Sequence, residues 1–260
     1  NYPAPTFLRE RTFLGNVKLE GEMDEVTAGS QRIVEVLLDE TDDRPVWLQA
    51  WGGTNTIARA LKTIEEEHPD RMEDVAAKAR FFFIWEQDST YQDYILPNWG
   101  KYGIPTIISD QFWAIAYQWN RIQPTEMQNY FGAEWMQENI LQGHGPLCSL
   151  YKAHKKGDKG FEDGDFRSEG DSPAFMHQIN VGLGNLDSPD WGGWGGRYEL
   201  YQPKFEKWFL EPETRPLWTN VQDEVFGYDG RWHTTNHATI WRWREHYQHD
   251  FAARMGWTIK

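Results

Sequence analysis

The run "RPVWLQAWGGTNTIARAL" (44–61) decides how the chain is read. Its first part, "VWLQAW" (46–51), is a short and nearly continuous apolar stretch, the pattern of a strand shielded on both faces. Gly52-Gly53 then turns the chain. "TNTIARALKTIEEE" (54–67) repeats its apolar residues at helical spacing until His68-Pro69 stops it. Two further strands follow in the same manner. A helix near "RMEDVAAKA" (71–79) leads to "RFFFIW" (80–85), and a polar stretch and a helical turn lead to "IPTIIS" (104–109). Strand, helix, strand, helix, strand is the order of an α/β fold: an open, mostly parallel sheet with helices on both faces.

In such sheets, ligands collect outside the carboxyl ends of the strands. Those ends carry Trp51-Gly52-Gly53-Thr54-Asn55, then Trp85-Glu86-Gln87-Asp88, then Ser109-Asp110-Gln111. Three polar or aromatic strand ends in succession predict one site, more strongly than any single motif does. An isolated Gly-Gly between strand and helix is more often simply a tight turn.

Upstream, residues 1–29 read as irregular, and Ser30 is placed to cap a helix over "QRIVEVLLDE" (31–40). Downstream of residue 112 the pattern turns helical and aromatic, in "FWAIAYQW" (112–119) and "PTEMQNYFGAEWMQENIL" (124–141). A charged, Gly-rich loop spans 155–171, turn residues dominate 182–232, and "ATIWRWREHYQHDFAARM" (238–255) predicts one amphipathic helix. There is no internal repeat and no low-complexity linker, so one domain over 1–260 is the simplest count.

Composition narrows the function classes. A net charge of −14 repels phosphate backbones and anionic lipid, so neither nucleic acid nor a membrane surface is an expected partner. No stretch reaches the roughly 18 apolar residues of a membrane span, and residues 1–30 lack an apolar leader core. One cysteine, Cys148, excludes an internal disulfide. The unusual quantity is aromatic: 15 Trp, 11 Tyr and 14 Phe. Many lie in loops, as in "WGGWGGRYE" (191–199) and "GYDGRWHTTNH" (227–237), where ring faces either pack or meet flat sugar or base faces.

The stretch "GDFRSEGDSPAFMHQI" (164–179) raises a sharper question. Asp171 is placed to cap the helix that begins at Ser172, with Pro173 in its first turn where a missing N–H is harmless. Glu169 has no capping role at its spacing. Oxygen-rich acidic loops suit calcium, although "DGDFRSEGD" lacks the acidic spacing of an EF-hand. His233 with His237, and His246 with His249, have helical spacing for zinc but no accompanying Glu. His144 and Cys148 are close in sequence without a third orienting group, and no nucleotide-phosphate loop is present.

Taken together, "RPVWLQAWGGTNTIARAL", "ENILQGHGPLCSLY" (138–151), "GDFRSEGDSPAFMHQI" and "WGGWGGRY" (191–198) resemble the nucleoside-hydrolase-like domain of bacterial cellulose-binding proteins. More distantly, they are similar to the inosine–uridine nucleoside hydrolases. The resemblance implies calcium at the carboxyl ends of the strands, with Trp51 lending a main-chain carbonyl and Asp171 a carboxylate. It implies hydrolysis of an N- or O-ribosyl-type or other glycosidic bond, with aromatic residues around the leaving group. Asn55, Trp85, Gln87, Asp88, Trp191, Trp194 and Arg197 are the candidate substrate-binding residues, by position. In the hydrolases a His often precedes the second calcium Asp, and that place here is Gly170, so Glu169 or His144 is the candidate acid. The hydrolases also open on an Asp-rich strand end that this chain lacks, so the domain is expected to be without its first strand and a further C-terminal region. A secreted or periplasmic location follows from the resemblance alone.

Three functions stay open at this stage. The first is a calcium-dependent glycosidic-bond hydrolase. The second is a carbohydrate-binding module that uses its Trp-rich loops without the chemistry, on a glycan or a sugar-containing small molecule. The third is an inert domain whose aromatics only pack. Oligomeric state is not encoded in any of these features.

Overall fold

The computed structural model describes residues 3–167, 169–200, 217–257 and 259. Five strands form one sheet: β1 (Val46–Ala50), β2 (Ala79–Ile84), β3 (Thr106–Ser109), β4 (Tyr198–Leu200) and β5 (Leu217–Asn220), in the order β1-β2-β3-β5-β4. β1, β2, β3 and β5 pair in parallel, with Leu48 beside Phe81, Phe83 beside Ile108, and Ile107 beside Trp218. The predicted α/β architecture is therefore present. Its fourth parallel strand, β5, lies in the stretch that reads as turns, and residues 201–216 of that stretch lie outside the described residues.

Chain contacts divide the protein into two compact units. The sheet unit comprises Pro3–Ser109 with Glu199–Thr219, and the helical unit comprises Asp110–Tyr198 with Asn220–Lys260. In the sheet unit, every residue of Phe81–Ile84 and Thr106–Ser109 is buried. Successive strand residues point to opposite sides, so both faces of β2 and β3 are covered. Phe81, Phe83 and Ile108 join one core with Ile57, Leu61 and Ile64 of the helix Asn55–Glu67, here α2, and with Val75 and Ala76 of Met72–Lys78, here α3.

The preceding helix, α1 (Ala28–Leu38), begins three residues earlier than its apolar spacing predicts. Thr27 is the cap: its side chain accepts from the Ser30 amide at 3.1 Å, and the Ser30 hydroxyl accepts from the Thr27 amide at 3.0 Å. Ser30 thus closes a reciprocal capping box instead of standing at the N-cap, because Thr27 offers the same oxygen one turn earlier.

The helical unit is built of short pieces. The aromatic stretch from residue 112 forms turn-length helices, among them Trp113–Tyr117, Thr125–Gln128 and Ala133–Met136. Ser172–His177 is α4 and Arg244–Gly256 is α5. The helix expected over 238–255 breaks at Arg242–Trp243 into Ala238–Trp241 and α5. Just before these helices in sequence stands an antiparallel hairpin, β6 (Asp223–Phe226) and β7 (Trp232–Thr235), that periodicity did not reveal.

The core of this unit packs Ile115, Trp119, Phe131, Met136, Phe166 and Ile240. Through it runs Arg244, 0% exposed. Its Nη2 donates to the Ala114 carbonyl at 2.7 Å, its Nε to the Tyr247 hydroxyl at 2.7 Å, and its guanidinium lies 3.8 Å above the Phe131 ring.

Candidate functional site

The strand ends of the sheet unit are occupied by their own hydrogen bonds. Asp88 Oδ2 accepts from the Asn55 amide at 3.1 Å, and Oδ1 accepts from the Thr54 hydroxyl at 3.1 Å and from the Thr90 amide at 3.0 Å. The carboxylate therefore satisfies the start of α2, where unpaired amides and the positive dipole end favour a negative charge. It explains the glycine before it: a Cβ at Gly53 would stand 2.1 Å from Asp88 Oδ2. Asn55 is buried, and its Nδ2 donates to the carbonyls of Asn16 (2.8 Å) and Glu22 (2.9 Å), tying the N-terminal segment to α2. Asp88 and Asn55 hold the fold together at this edge.

Trp51 and Gln87 are brought together. Gln87 Nε2 donates to the Trp51 carbonyl at 3.2 Å and to the Ile84 carbonyl at 2.9 Å. The oxygen assigned to calcium by resemblance thus already has one partner. Trp51 itself is 48% exposed. Trp85 is the one residue other than glycine with a left-handed backbone among the described residues, at φ 59°. A bulky side chain adopts that conformation only at a cost, and such residues gather at functional sites. Beside it stands Glu86, part of the predicted strand end but not among the candidate binding residues. Burial, aided by the negative charge of Asp88, raises its carboxyl to about 7 against the hydrogen bond from Gln92. Its signal is positional, two residues beyond the buried strand β2.

In the helical unit the sequence candidates separate. Glu169 and Trp194 share a cavity of about 390 Å³ between α4 and α5, with the rings of Phe175, Phe251 and Tyr247 and the polar ends of Gln178 and Asp250. Glu169 is exposed as a residue, yet burial of its carboxyl end raises its pKa to about 7, and the hydrogen bond from the Tyr151 hydroxyl only partly opposes this. An apolar surround disfavours the charged form, so a carboxylic acid here keeps its proton close to neutrality. Asp250 stays engaged with Arg254, 2.6 Å away.

The other candidates of this unit do not line that cavity. Trp191 stands on a neighbouring hollow of about 540 Å³ formed by residues 176–193, which shares Met176, Gln178 and Ile179 with the first. Arg197 is paired with Asp223 at 3.3 Å. The His144 amide donates to Cys148 Sγ at 3.1 Å, the geometry of a loop contact and not of an activated thiol. Asp171 occupies the N-cap position of α4, but its side chain makes no capping bond, contrary to expectation; its backbone is in the helical region, where the carboxylate does not reach back over the first turn. Burial raises its pKa. At Gly170, the place of the hydrolases' histidine, a side chain would be crowded, because a Cβ there would lie 3.0 Å from Phe112 Cβ and 3.4 Å from Ala116 Cβ.

The charged loop before α4 mostly serves itself. Asp165 is buried and accepts from the amides of Ala133 (3.0 Å) and Glu162 (2.8 Å), and Asp158 pairs with His154 at 2.8 Å. Among the described residues no group of three or more His, Cys, Asp or Glu converges as a metal site. At the third predicted strand end a polar group surrounds Asp110: Asn220 and Asn236 donate to its Oδ1, and Gln111 donates to the Asn236 carbonyl at 2.7 Å. Next to it, burial lowers His237 to about 4, which keeps the ring neutral. No helix among the described residues is long and apolar enough to cross a membrane.

No curated protein matches the chain. A solved structure matches it, described as a nucleoside hydrolase-related hypothetical protein from Saccharophagus degradans that is associated with carbohydrate metabolism. The identity is 24% and the TM-score 0.65, over 99% of this chain; the chain spans 55% of that protein's length. At that identity the likeness establishes a shared fold, in agreement with the parallel order of β1, β2, β3 and β5. The family described as cellulose-binding Sde182, nucleoside hydrolase-like domain, matches residues 1–198, and with its sheet and strand-end loops this chain belongs to that family.

Proposed function

We propose that the domain recognises a carbohydrate and that the cavity between α4 and α5 holds one of its sugar units. The supporting observation is the cavity itself, about 390 Å³, with aromatic walls at Phe175, Trp194 and Phe251 and amide and carboxyl groups at Gln178, Gln248 and Glu169. Its volume lies in the range of small-ligand pockets. Ring faces cover the apolar face of a pyranose, while the polar ends answer its hydroxyls. A protonated Glu169 donates one hydrogen bond and accepts another, which suits a hydroxyl better than a carboxylate does. The partner is then a glycan or a sugar-containing small molecule, met outside the cytoplasm.

Calorimetric titration with cellobiose tests this. Binding by the native chain that is lost in Trp194→Ala supports the cavity; equal heats from both proteins would remove it.

Catalysis is the second reading, favoured by the state of Glu169. A general acid must carry its proton at working pH, and burial supplies that condition. In this reading the Glu169 O–H passes its proton to the leaving group as the glycosidic bond breaks, and water adds its hydroxyl to the anomeric carbon, releasing a proton to solvent. Calcium is the cofactor of the same reading, to which Asp171 would offer a carboxylate oxygen. Calcium takes six to eight oxygens, so one carboxylate does not compose a site by itself. Release of reducing sugar from inosine or uridine, lost in Glu169→Gln, would establish hydrolysis; cellobiose binding without any release would leave recognition alone.

A further inference from the structure

Arg44 and Arg231 start from the same local geometry and end differently. Each stands two residues after an aspartate that accepts its backbone amide, Asp42 at 3.1 Å and Asp229 at 3.2 Å. Arg44 turns its guanidinium back onto that acid, with Nη2 2.6 Å from Oδ2 and Nε 2.8 Å from Oδ1 of Asp42. Arg231 makes no such bond among the described residues, because His233 Nε2 lies 3.1 Å from both oxygens of Asp229. Gly227 permits this: a Cβ there would stand 2.6 Å from Asp229 Oδ1 and 3.0 Å from His233 Nε2. The turn between β6 and β7 thus spends Asp229 on His233 and leaves the Arg231 guanidinium open.

A second open guanidinium lines the same hollow. Arg121 and Arg231 border a space of about 510 Å³ between the hairpin turn and residues 121–126, together with His233, Thr125 and Glu126. Neither arginine has a carboxylate partner among the described residues, whereas Arg59, Arg71, Arg242 and Arg254 each have one. The hollow shares no lining residue with the cavity between α4 and α5.

We propose that this hollow binds a small organic oxyanion, a carboxylate or a phosphate, between Arg121 and Arg231. Planar N–H forks match the paired oxygens of either group, and charge-assisted bonds of this kind are the strong ones. The Thr125 hydroxyl adds a further donor on the same wall. The space exceeds what a bare ion fills and lies in the range of small-ligand sites, so the anionic group carries an organic body. Glu126, exposed on that wall, opposes binding. The net charge of −14 works against long polyanions but not against a small one, since charges beyond about 8 Å are largely screened at physiological salt.

Calorimetric titration of the full chain with inorganic phosphate and, separately, with citrate tests this, against sodium chloride at matched ionic strength. At least one of the two anions should bind at a single site, and the tighter one names the charged group. Arg121→Gln and Arg231→Gln should each weaken it by about tenfold, as the loss of charged hydrogen bonds implies. Glu126→Gln should tighten it, which no general damage to the fold would do. These three side chains are exposed, so their replacement leaves the core intact. Heats no larger than those of sodium chloride, for both anions, overturn the inference. So does native affinity in both arginine variants, since the anion then sits elsewhere.

Discussion

Asp88 and Gly53 form one device: the carboxylate reaches the first amide of α2 only because no Cβ stands in its way. Asp88→Ala should cost about 1–2 kcal/mol, the worth of a helix-capping carboxylate, and Gly53→Ala should cost at least as much by pushing that carboxylate away. The double variant should lose less than the two single losses added, because both remove the same bond. Urea denaturation of the four proteins measures this, and strictly additive losses would show the device to be absent.

Glu169 makes stability depend on pH in a direction opposite to that of a salt-bridged acid. Its folded pKa, about 7, lies above its unfolded value. The native state therefore holds the proton longer, and stability falls as pH rises from the ordinary Glu range towards 7. Glu86 acts in the same sense. Glu169→Gln and Glu86→Gln should each flatten the decline of the unfolding midpoint between pH 5 and pH 8. A native midpoint that rises over this interval while both variants follow it would contradict the assignment.

Among the described residues Arg244 has no carboxylate partner, and its charge is held by the Ala114 carbonyl, the Tyr247 hydroxyl and the Phe131 ring. A planar fork makes these contacts together and an ammonium does not. Arg244→Lys should cost about 2–4 kcal/mol, and Arg244→Met, which buries no charge, should cost less. Thermal unfolding ranks them; a lysine variant as stable as the native chain would refute the fork.

Calcium can be checked at one residue. If the ion is bound through Asp171, titration of the native chain releases heat that Asp171→Ala does not. Identical heats from the two proteins, or none from either, exclude Asp171 as a ligand, and the carbohydrate reading is untouched because it uses no metal.

The parallel sheet was legible because its signals are short-range. Continuous apolar runs at 46–51, 80–85 and 104–109 and helical spacing at 54–67 belong to neighbouring residues, and β1, β2, β3 and α2 appear where they predict. Ser30 and Asp171 show how far such signals reach. Each was read as a cap from its residue type, but the cap is Thr27 in one case and no side chain in the other.

Long-range partners decided the rest. β5 is four residues that become a strand beside Thr106–Ile108, more than a hundred positions earlier. Asp88 is an ordinary loop acid until α2 begins beside it, 33 residues away in sequence. Glu169 and Trp194 become one cavity only when α4 meets α5, and the proton on Glu169 depends on that enclosure. Sequence alone settled β1, β2, β3 and α2, since backbone preference and apolar period are local. Which carboxylates are spent on the fold, and which are desolvated and left to meet a ligand, is set by distant segments closing around them.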